Sequence, residues 1–272
     1  MTPPSFPVRD LAFDFSTVPK RWHSDRAAVS LLFNNLSILF PLGERFFIRS
    51  VGHYRRAIDN PMLVADVKAF TSQEAVHTRE HEAYNQMLRN HGHDVDRLEK
   101  GVDRLLSIPR RVHGEKAPIV NLAVTVALEH WTATLGHFIL DDDSILAGAD
   151  PQMAAMWRWH AAEECEHKSV ALDVYEGAAR GGYGVRVLVM LLVTLLFWGR
   201  VVRQQWALMR ADGIAFSLVE WMDLARFLFV EQRSVRRLLP PWLSFFRRDF
   251  HPWQLDDAQL LQRWRASSLP IS

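Results

Sequence analysis

A dense group of acidic and imidazole side chains lies in residues 159–175, WHAAEECEHKSVALDVY, within an otherwise apolar part of the chain. At about 100° per residue of an α-helix, His160, Glu164 and His167 fall on one narrow stripe. Apolar residues such as Val174 extend this stripe, which indicates that it faces a protein core. Burying an unpaired carboxylate costs several kcal/mol, so this segment can pack only if cations or other partners neutralise its charge.

The spacing of proline, glycine and capping residues predicts long helices. Two segments share an Asp or Asn cap, a proline in the first turn and a terminal glycine: residues 59–92 and 150–181. Another helix opens near Pro118, and a fourth covers residues 26–58, where we expect Pro41 to kink or restart it. Because no alternating strand pattern bounded by hairpin turns occurs, we predict an all-α fold.

Each of the four predicted helices directs acidic or imidazole side chains into apolar surroundings. The second and fourth carry the Glu-x-x-His pairs EAVH and ECEH, and the first and third each carry one glutamate on an apolar face. Two helices with one glutamate each and two helices with one Glu-x-x-His pair each form the ligand pattern of di-iron and di-manganese carboxylate bundles. In those bundles metal cations offset the clustered negative charge. The predicted metal ligands are Glu44, Glu74, His77, Glu129, His160, Glu164 and His167.

Three neighbouring residues are weaker candidates or have another role. His81 follows His77 by about one turn, which favours a supporting or surface position over metal ligation. Glu163 replaces Glu164 as a ligand if the helical register is shifted by one residue. Cys165 points about 100° away from Glu164, so we expect it to be a small buried apolar residue.

The chain resembles a bacterial family labelled predicted metal-dependent hydrolases in four stretches: FPLGERFFIRSV, QEAVHTREHEAYN, LEHWTA and WHAAEECEHKSVALDVY. This resemblance covers most of residues 25–250 and implies a metal-dependent activity. Separately, the ligand pattern is similar to the four-Glu, three-His site of the di-iron arylamine N-oxygenases. This second resemblance implies oxygen chemistry, but it extends only to the ligands and therefore implies no substrate.

These patterns predict a single domain over residues 1–272. We expect a ferritin-like four-helix bundle with a dinuclear metal site in residues 25–182 and additional helices, in residues 184–272, packed on it. Imidazole and carboxylate ligands suit two iron ions, although manganese, a mixed iron–manganese pair or zinc would also accept them.

The expected function is that of a non-haem di-iron oxygenase or oxidase, which uses O₂ and an electron donor to oxidise a small, apolar or aromatic substrate. One alternative is a hydrolase in which two metal ions activate a water molecule. The other is a noncatalytic iron-handling bundle. The chain has no HExxH, GxSxG or P-loop motif that would supply another hydrolytic apparatus.

Composition and the C-terminal region bear on partners and location. The net charge of +1 gives no general attraction to nucleic acid. One cysteine and a proline-interrupted N-terminal segment, unlike a signal peptide, favour a cytoplasmic protein. The apolar run of residues 187–199 is shorter than the ~20 residues that span a bilayer. The C-terminal helices are therefore expected either to cover the bundle or to contact a membrane peripherally, and the oligomeric state stays open.

Overall fold

The computed structural model describes residues 5–114 and 117–267, and its regular structure is helical. Apart from one isolated bridge between His23 and Ala149, these residues form no extended pairing, so the all-α prediction is confirmed. The ends of the predicted domain, residues 1–4 and 268–272, lie outside the described residues. The α-helices are α1 (Ala27–His53), α2 (Pro61–Asn90), α3 (Val95–Leu106), α4 (Ile108–His113), α5 (Ala117–Asp141), α6 (Pro151–His167), α7 (Val170–Asp173), α8 (Tyr183–Ala211), α9 (Leu218–Ala225), α10 (Ser234–Ser244) and α11 (Ala258–Ser267).

The start and end of α2 follow the predicted capping pattern. The Asn60 side-chain oxygen accepts hydrogen bonds from the backbone N–H groups of Met62 and Leu63, and Pro61 occupies the first turn. Gly92 follows the helix with a φ of 90°, a left-handed conformation that glycine adopts without steric cost. Local sequence therefore determines both ends of the helix that carries the first Glu-x-x-His pair.

The fourth predicted helix is shorter than expected. Asp150 caps α6 as predicted, but the α-helix ends at His167 instead of continuing to Gly181. A turn follows, and then come α7 and a π-helical segment, Val174–Ala178. The ammonium group of Lys168 is buried and binds the Asp257 carboxylate, and this long-range contact accompanies the change in helical geometry.

The first helix is continuous across Pro41, so the expected restart does not occur. A proline inside a helix removes one backbone hydrogen bond and costs about 3 kcal/mol. Pro41 is buried, and neighbouring Ile38, Phe46 and Phe47 are also buried in the core. Tertiary packing therefore offsets the free-energy cost of a proline inside the helix. The residue pattern of one helix does not reveal this packing.

Helices α1, α2, α5 and α6 pack around a buried polar layer. Helix α1 contacts α2 and α5, while α6 contacts α5 and α2. One apolar cluster, which includes Phe33, Leu88 and Trp157, lies on one side of this layer along the helices. A second cluster, which includes Phe47 and Phe70, lies on the other side. The polar layer is therefore enclosed by apolar side chains along the helix axes.

Two helical stretches are long and apolar enough to cross a membrane by length and composition: Ala27–Ala57 and α8. In the first, 67% of the most apolar window is buried inside the protein, as expected for a core helix. In α8 the buried share is 28% and the mean hydropathy is 2.1. Helix α8 packs on α1 and α5, so one face belongs to the core and the other is exposed.

Gly136 allows α5 to approach α6 closely, because a Cβ atom there would lie 2.8 Å from the carbonyl oxygen of Ala161. We expect Gly136→Ala to lower the free energy of unfolding by about 1–3 kcal/mol, since the helices must move apart. Urea denaturation measures this change. The matched control is Gly199→Ala in α8, where a Cβ atom would meet no atom within 4 Å. Equal stability of the Gly136 variant and the wild type would contradict this account of the helix contact.

Candidate metal centre

The structure brings the seven predicted ligands into the polar layer between the two apolar clusters. Each is at most 3% exposed. The predicted distribution over α1, α2, α5 and α6 is reproduced, with single glutamates on α1 and α5. Four overlapping groups have ligand atoms within 4.8 Å of one another: Glu44, His81 and His160; His77, His160 and Glu164; Glu44, Glu74 and His77; Glu74, Glu129 and His167.

Glu164 lies at the centre of this cluster. Its Oε1 atom is 3.4 Å from Nε2 of His160, 3.5 Å from Nδ1 of His77 and 3.6 Å from Nε2 of His167. Nε2 of His167 is also 3.2 Å from Oε1 of Glu74. One carboxylate oxygen therefore faces three imidazoles from two helices, so Glu164 and these imidazoles would hold a metal ion together.

The other three carboxylates make no well-aligned hydrogen bond with the described residues. Both oxygens of Glu44, Glu74 and Glu129 are buried, and Nε2 of His167 lies 3.2 Å from Glu74 and 3.5 Å from Glu129. Burial raises the pKa of each of these carboxyl groups, and neighbouring carboxylates raise that of Glu44 further. Unpartnered buried carboxylates are costly, whereas divalent cations would replace their protons and satisfy their oxygens. The donor set therefore fits divalent metal ions.

Without a cation, Glu164 and His167 form the charged pair of the cluster. Burial opposes ionisation of Glu164, but the imidazoles of His167, His160 and His77 outweigh it and hold its pKa at about 2. Burial also disfavours charge on His167, yet Glu164, Glu74 and Glu129 raise its pKa well above the ordinary value. A metal ion would take the place of the proton on Nε2 of His167.

Gln73 orients His167. The Gln73 amide nitrogen donates to the backbone carbonyl of Pro7 and to Glu166, and these two acceptors identify which end of the amide is oxygen. Oε1 of Gln73 therefore accepts a hydrogen bond from Nδ1 of His167, at 2.9 Å. This leaves Nε2 as the nitrogen that faces the carboxylates and is free to bind a metal ion.

A carboxylate orients His77 in the same way. Nε2 of His77 donates to Oε2 of Glu163 at 3.1 Å, while Arg9 binds the other oxygen of Glu163 at 2.9 Å. Nδ1 of His77 is left facing Glu164. Glu163 thus points away from the carboxylate cluster and contacts the outer side of an imidazole, which is the position of a supporting residue.

A chain of hydrogen bonds orients His160. The Ser37 hydroxyl donates to Oδ1 of Asn85, so it accepts from Nδ1 of His81, at 2.9 Å. Nε2 of His81 then accepts from Nδ1 of His160 at 3.2 Å. Burial lowers the pKa of both imidazoles, so both are neutral. Nε2 of His160 consequently presents a lone pair to the cluster.

Sequence reasoning missed the residues that support this cluster from outside. Arg9 binds both Glu163 and Glu166, and Arg265 binds Glu166 as well. Both arginines lie far from the ligand motifs along the chain, so helical spacing provides no signal for them. Gln73 immediately precedes Glu74, but periodicity alone does not reveal its contact with His167. Cys165 is buried, as expected, and its thiol faces the Ala133 carbonyl.

A cavity of about 120 Å³ reaches the cluster at His160. Its walls are mostly apolar and include Leu36, Phe40, Leu135 and Trp157. Its volume is similar to that of a cavity that holds one benzene molecule, about 150 Å³. The cavity therefore lies beside the cluster on the side of His160, which is the one predicted ligand among the described residues that line it.

Removing divalent metal should lower the melting temperature by about 5–10 °C, because cations that bind only the native state stabilise it. The metal-free protein must keep its buried carboxylates protonated or repelling one another. Calorimetry before and after chelation, with metal loss verified by elemental analysis, measures the effect. An unchanged melting curve in fully metal-free protein would contradict a buried metal centre.

Glu129→Ala should greatly reduce the metal bound per chain, since both carboxylate oxygens of Glu129 face the cluster without hydrogen bonds. Glu166→Gln should retain it, because Glu166 binds Arg9 and Arg265 instead. Elemental analysis of both variants tests this difference. Metal loss in Glu166→Gln equal to that in Glu164→Gln would contradict the assignment of Glu164, and not Glu166, as a ligand.

No curated protein matches this sequence. No solved structure matches either. A family model described as "Predicted metal-dependent hydrolase" matches residues 7–256, which is most of the chain. A metal-dependent family agrees with a buried cluster of imidazoles and carboxylates that could hold metal ions. The chain belongs to the predicted metal-dependent hydrolase family.

Proposed function

We propose that this chain is a dinuclear metal enzyme. The observation that carries the proposal is a set of three buried carboxylates whose oxygens make no well-aligned hydrogen bond, together with three imidazoles whose outer nitrogens are engaged by hydrogen bonds. His81 and Glu163 are assigned supporting roles, at His160 and His77. The proposed ligands are Glu44, Glu74, His77, Glu129, His160, Glu164 and His167.

We infer that α1, α2, α5 and α6 form a ferritin-like four-helix bundle around this centre. Support comes from their mutual packing and from the single, pair, single, pair order of their ligands. In this proposal residues 25–182 are the metal-binding part of one domain, and residues 184–272 are an extension packed on it. Contacts of α8 with α1 and α5, and of α11 with α5 and α6, support the single domain.

The cavity restricts the substrate class. Among the described residues that line it, Arg237 is the single cation, and its guanidinium pairs with Asp141 and Asp142. A phosphate ester would therefore find no uncompensated positive charge along these walls. A small, uncharged and largely apolar molecule fits both the volume and the walls of the cavity.

We propose hydrolysis of a small ester or amide as the reaction, in agreement with the family description. Two divalent ions would supply a water molecule that ionises near neutral pH and a positive charge that polarises a carbonyl group. The protein orients the imidazoles through Gln73, Glu163 and His81. The apolar walls next to His160 exclude bulk water and place the carbonyl group of the substrate beside the centre.

A second candidate is oxidation by O₂ with two iron ions and an electron donor. It is favoured by the donor set, which combines imidazoles and carboxylates without thiolate and lies between apolar clusters. Zinc or manganese would suit hydrolysis, whereas this candidate requires iron. The metal that co-purifies with the protein in the absence of chelators is therefore informative.

Parallel assays separate the two reactions. Under nitrogen, protein loaded with zinc or manganese should hydrolyse p-nitrophenyl acetate or small anilides, with a rate that increases with pH through neutrality. Glu164→Gln should reduce this rate about 100-fold or more. Glu176→Gln, an exposed control outside the cluster, should leave it unchanged.

The same protein loaded with ferrous iron is tested for uptake of O₂ with small aromatic substrates and a reductant. Oxygen uptake that depends on both substrate and Glu164, without anaerobic hydrolysis, would overturn the hydrolase proposal and support the second candidate. Iron binding without turnover of any organic compound would instead favour a noncatalytic iron-handling protein.

A further inference from the structure

Exposed apolar side chains cover α8, α9, α10 and the segments between them. We call the exposed apolar residues within 185–243 the docking surface. Leu195 is 73% exposed and Phe216 is 88% exposed. Trp206 of α8 contacts the rings of Phe216 and Trp221, and the Trp242 indole donates to Thr194 of α8. These contacts join α8, α9 and α10 into one surface.

The exposed residues of α8 lie on one helical stripe. Leu188, Leu192, Leu195, Val202 and Trp206 follow helical spacing and face outward. The opposite face of α8 packs on α1 and α5. Because this face packs on the bundle, crossing a bilayer would require α8 to lose its contacts with α1 and α5. It can instead lie in the plane of a membrane interface, with its apolar stripe in the lipid.

The docking surface is bordered by exposed arginines. Arg203, Arg210, Arg233 and Arg236 are exposed, and no carboxylate of the described residues pairs with them. Nearby acidic residues are already engaged elsewhere. Their contacts are Asp212 with Lys20, Asp223 with Arg26, Glu231 with Arg26 and Arg226, and Glu220 with the backbone N–H of Ala28. The surface therefore combines exposed apolar area with uncompensated positive charge.

We propose that the docking surface binds the face of a bilayer that contains anionic lipids. Interfacial helices combine an apolar face with basic residues, and each basic residue near an anionic surface strengthens binding. A second copy of this chain fits less well, because pairing two such surfaces would bring their arginines together. Anionic headgroups satisfy the arginines, and acyl chains cover the apolar side chains.

Docking would also bring the cavity close to the membrane. Phe227 and Leu228 line the cavity and directly precede Phe229 and Val230, which belong to the docking surface. An apolar substrate dissolved in the lipid would reach this part of the protein without crossing bulk water. This extension to substrate delivery rests on the proposed function, whereas docking itself does not.

Vesicle flotation of the full-length, metal-loaded protein tests the proposal. Vesicles contain phosphatidylcholine alone or mixed with phosphatidylglycerol. We expect flotation with the mixed vesicles, weaker flotation at high salt, and loss of flotation in the double variant Leu192→Glu and Leu195→Glu. Replacing Arg233 and Arg236 with Gln should weaken partitioning about five-fold for each arginine.

The matched control is Val112→Glu, which replaces an exposed apolar residue of α4 outside the docking surface, 68% exposed in the wild type. It should float like the wild type, and circular dichroism and metal content should show that all variants remain folded. The proposal is overturned if the wild type fails to float, or if the Leu192 and Leu195 changes have no effect. A dimer that these changes dissociate, with no flotation, would assign the surface to a second copy. Flotation requires no turnover, so its failure leaves the proposed function untouched.

Discussion

The burial of four glutamates in a helical core is the constraint on which the rest of this structure depends. Their carboxylates cannot remain charged and uncompensated between two apolar clusters. Burying an uncompensated charge destabilises the folded state by more than one typical contact stabilises it. Imidazoles from α2 and α6 surround Glu164, His167 also lies 3.2 Å from Glu74, and metal cations would compensate for the remaining charge. The four helices therefore hold a buried cluster of carboxylates and imidazoles whose charges must be balanced within the core.

Orientation of the imidazoles depends on residues from outside the ligand motifs. Arg9 and Arg265 both bind Glu166, so the N-terminal segment and the C-terminal helix α11 meet beside α6. Gln73 connects the same carboxylate to His167. Supporting contacts of this kind hold the ring of a metal-binding histidine and determine which nitrogen is free. The segments on either side of the four helices therefore contribute to the geometry of the centre.

The same donor set is compatible with two reaction classes, since imidazoles and carboxylates bind iron, manganese and zinc. In the proposed function, the cavity beside the centre restricts which substrates bind more than the metal ligands do. The cavity at His160 is small and apolar, and Arg237, its cation among the described lining residues, is neutralised by two aspartates. In the proposed function, the walls of the cavity limit the substrate class, and the metal that the centre holds sets the reaction class.

Much of this architecture could be predicted from the sequence because its signals are local. Asn60 and Asp150 mark helix starts, and the spacing of His160, Glu164 and His167 places them on one face of α6. The grouping of these residues with Glu44 and Glu129 could be inferred because isolated buried carboxylates are unfavourable. For α8, in contrast, the sequence shows only a run of apolar residues. It does not show which of them face the core and which are exposed.

Tertiary structure decided the features that depend on contacts between distant segments. The continuity of α1 across Pro41 and the end of α6 at His167 accompany packing and a Lys168–Asp257 ion pair that helical periodicity does not encode. The supporting role of Glu163 depends on its contacts with His77 and Arg9, which lie on other segments of the chain. The sequence by itself determined which side chains share a helix face, because that depends on spacing within one segment. Only the folded chain decided which nitrogen of each imidazole faces the cluster, because that depends on hydrogen bonds from other segments.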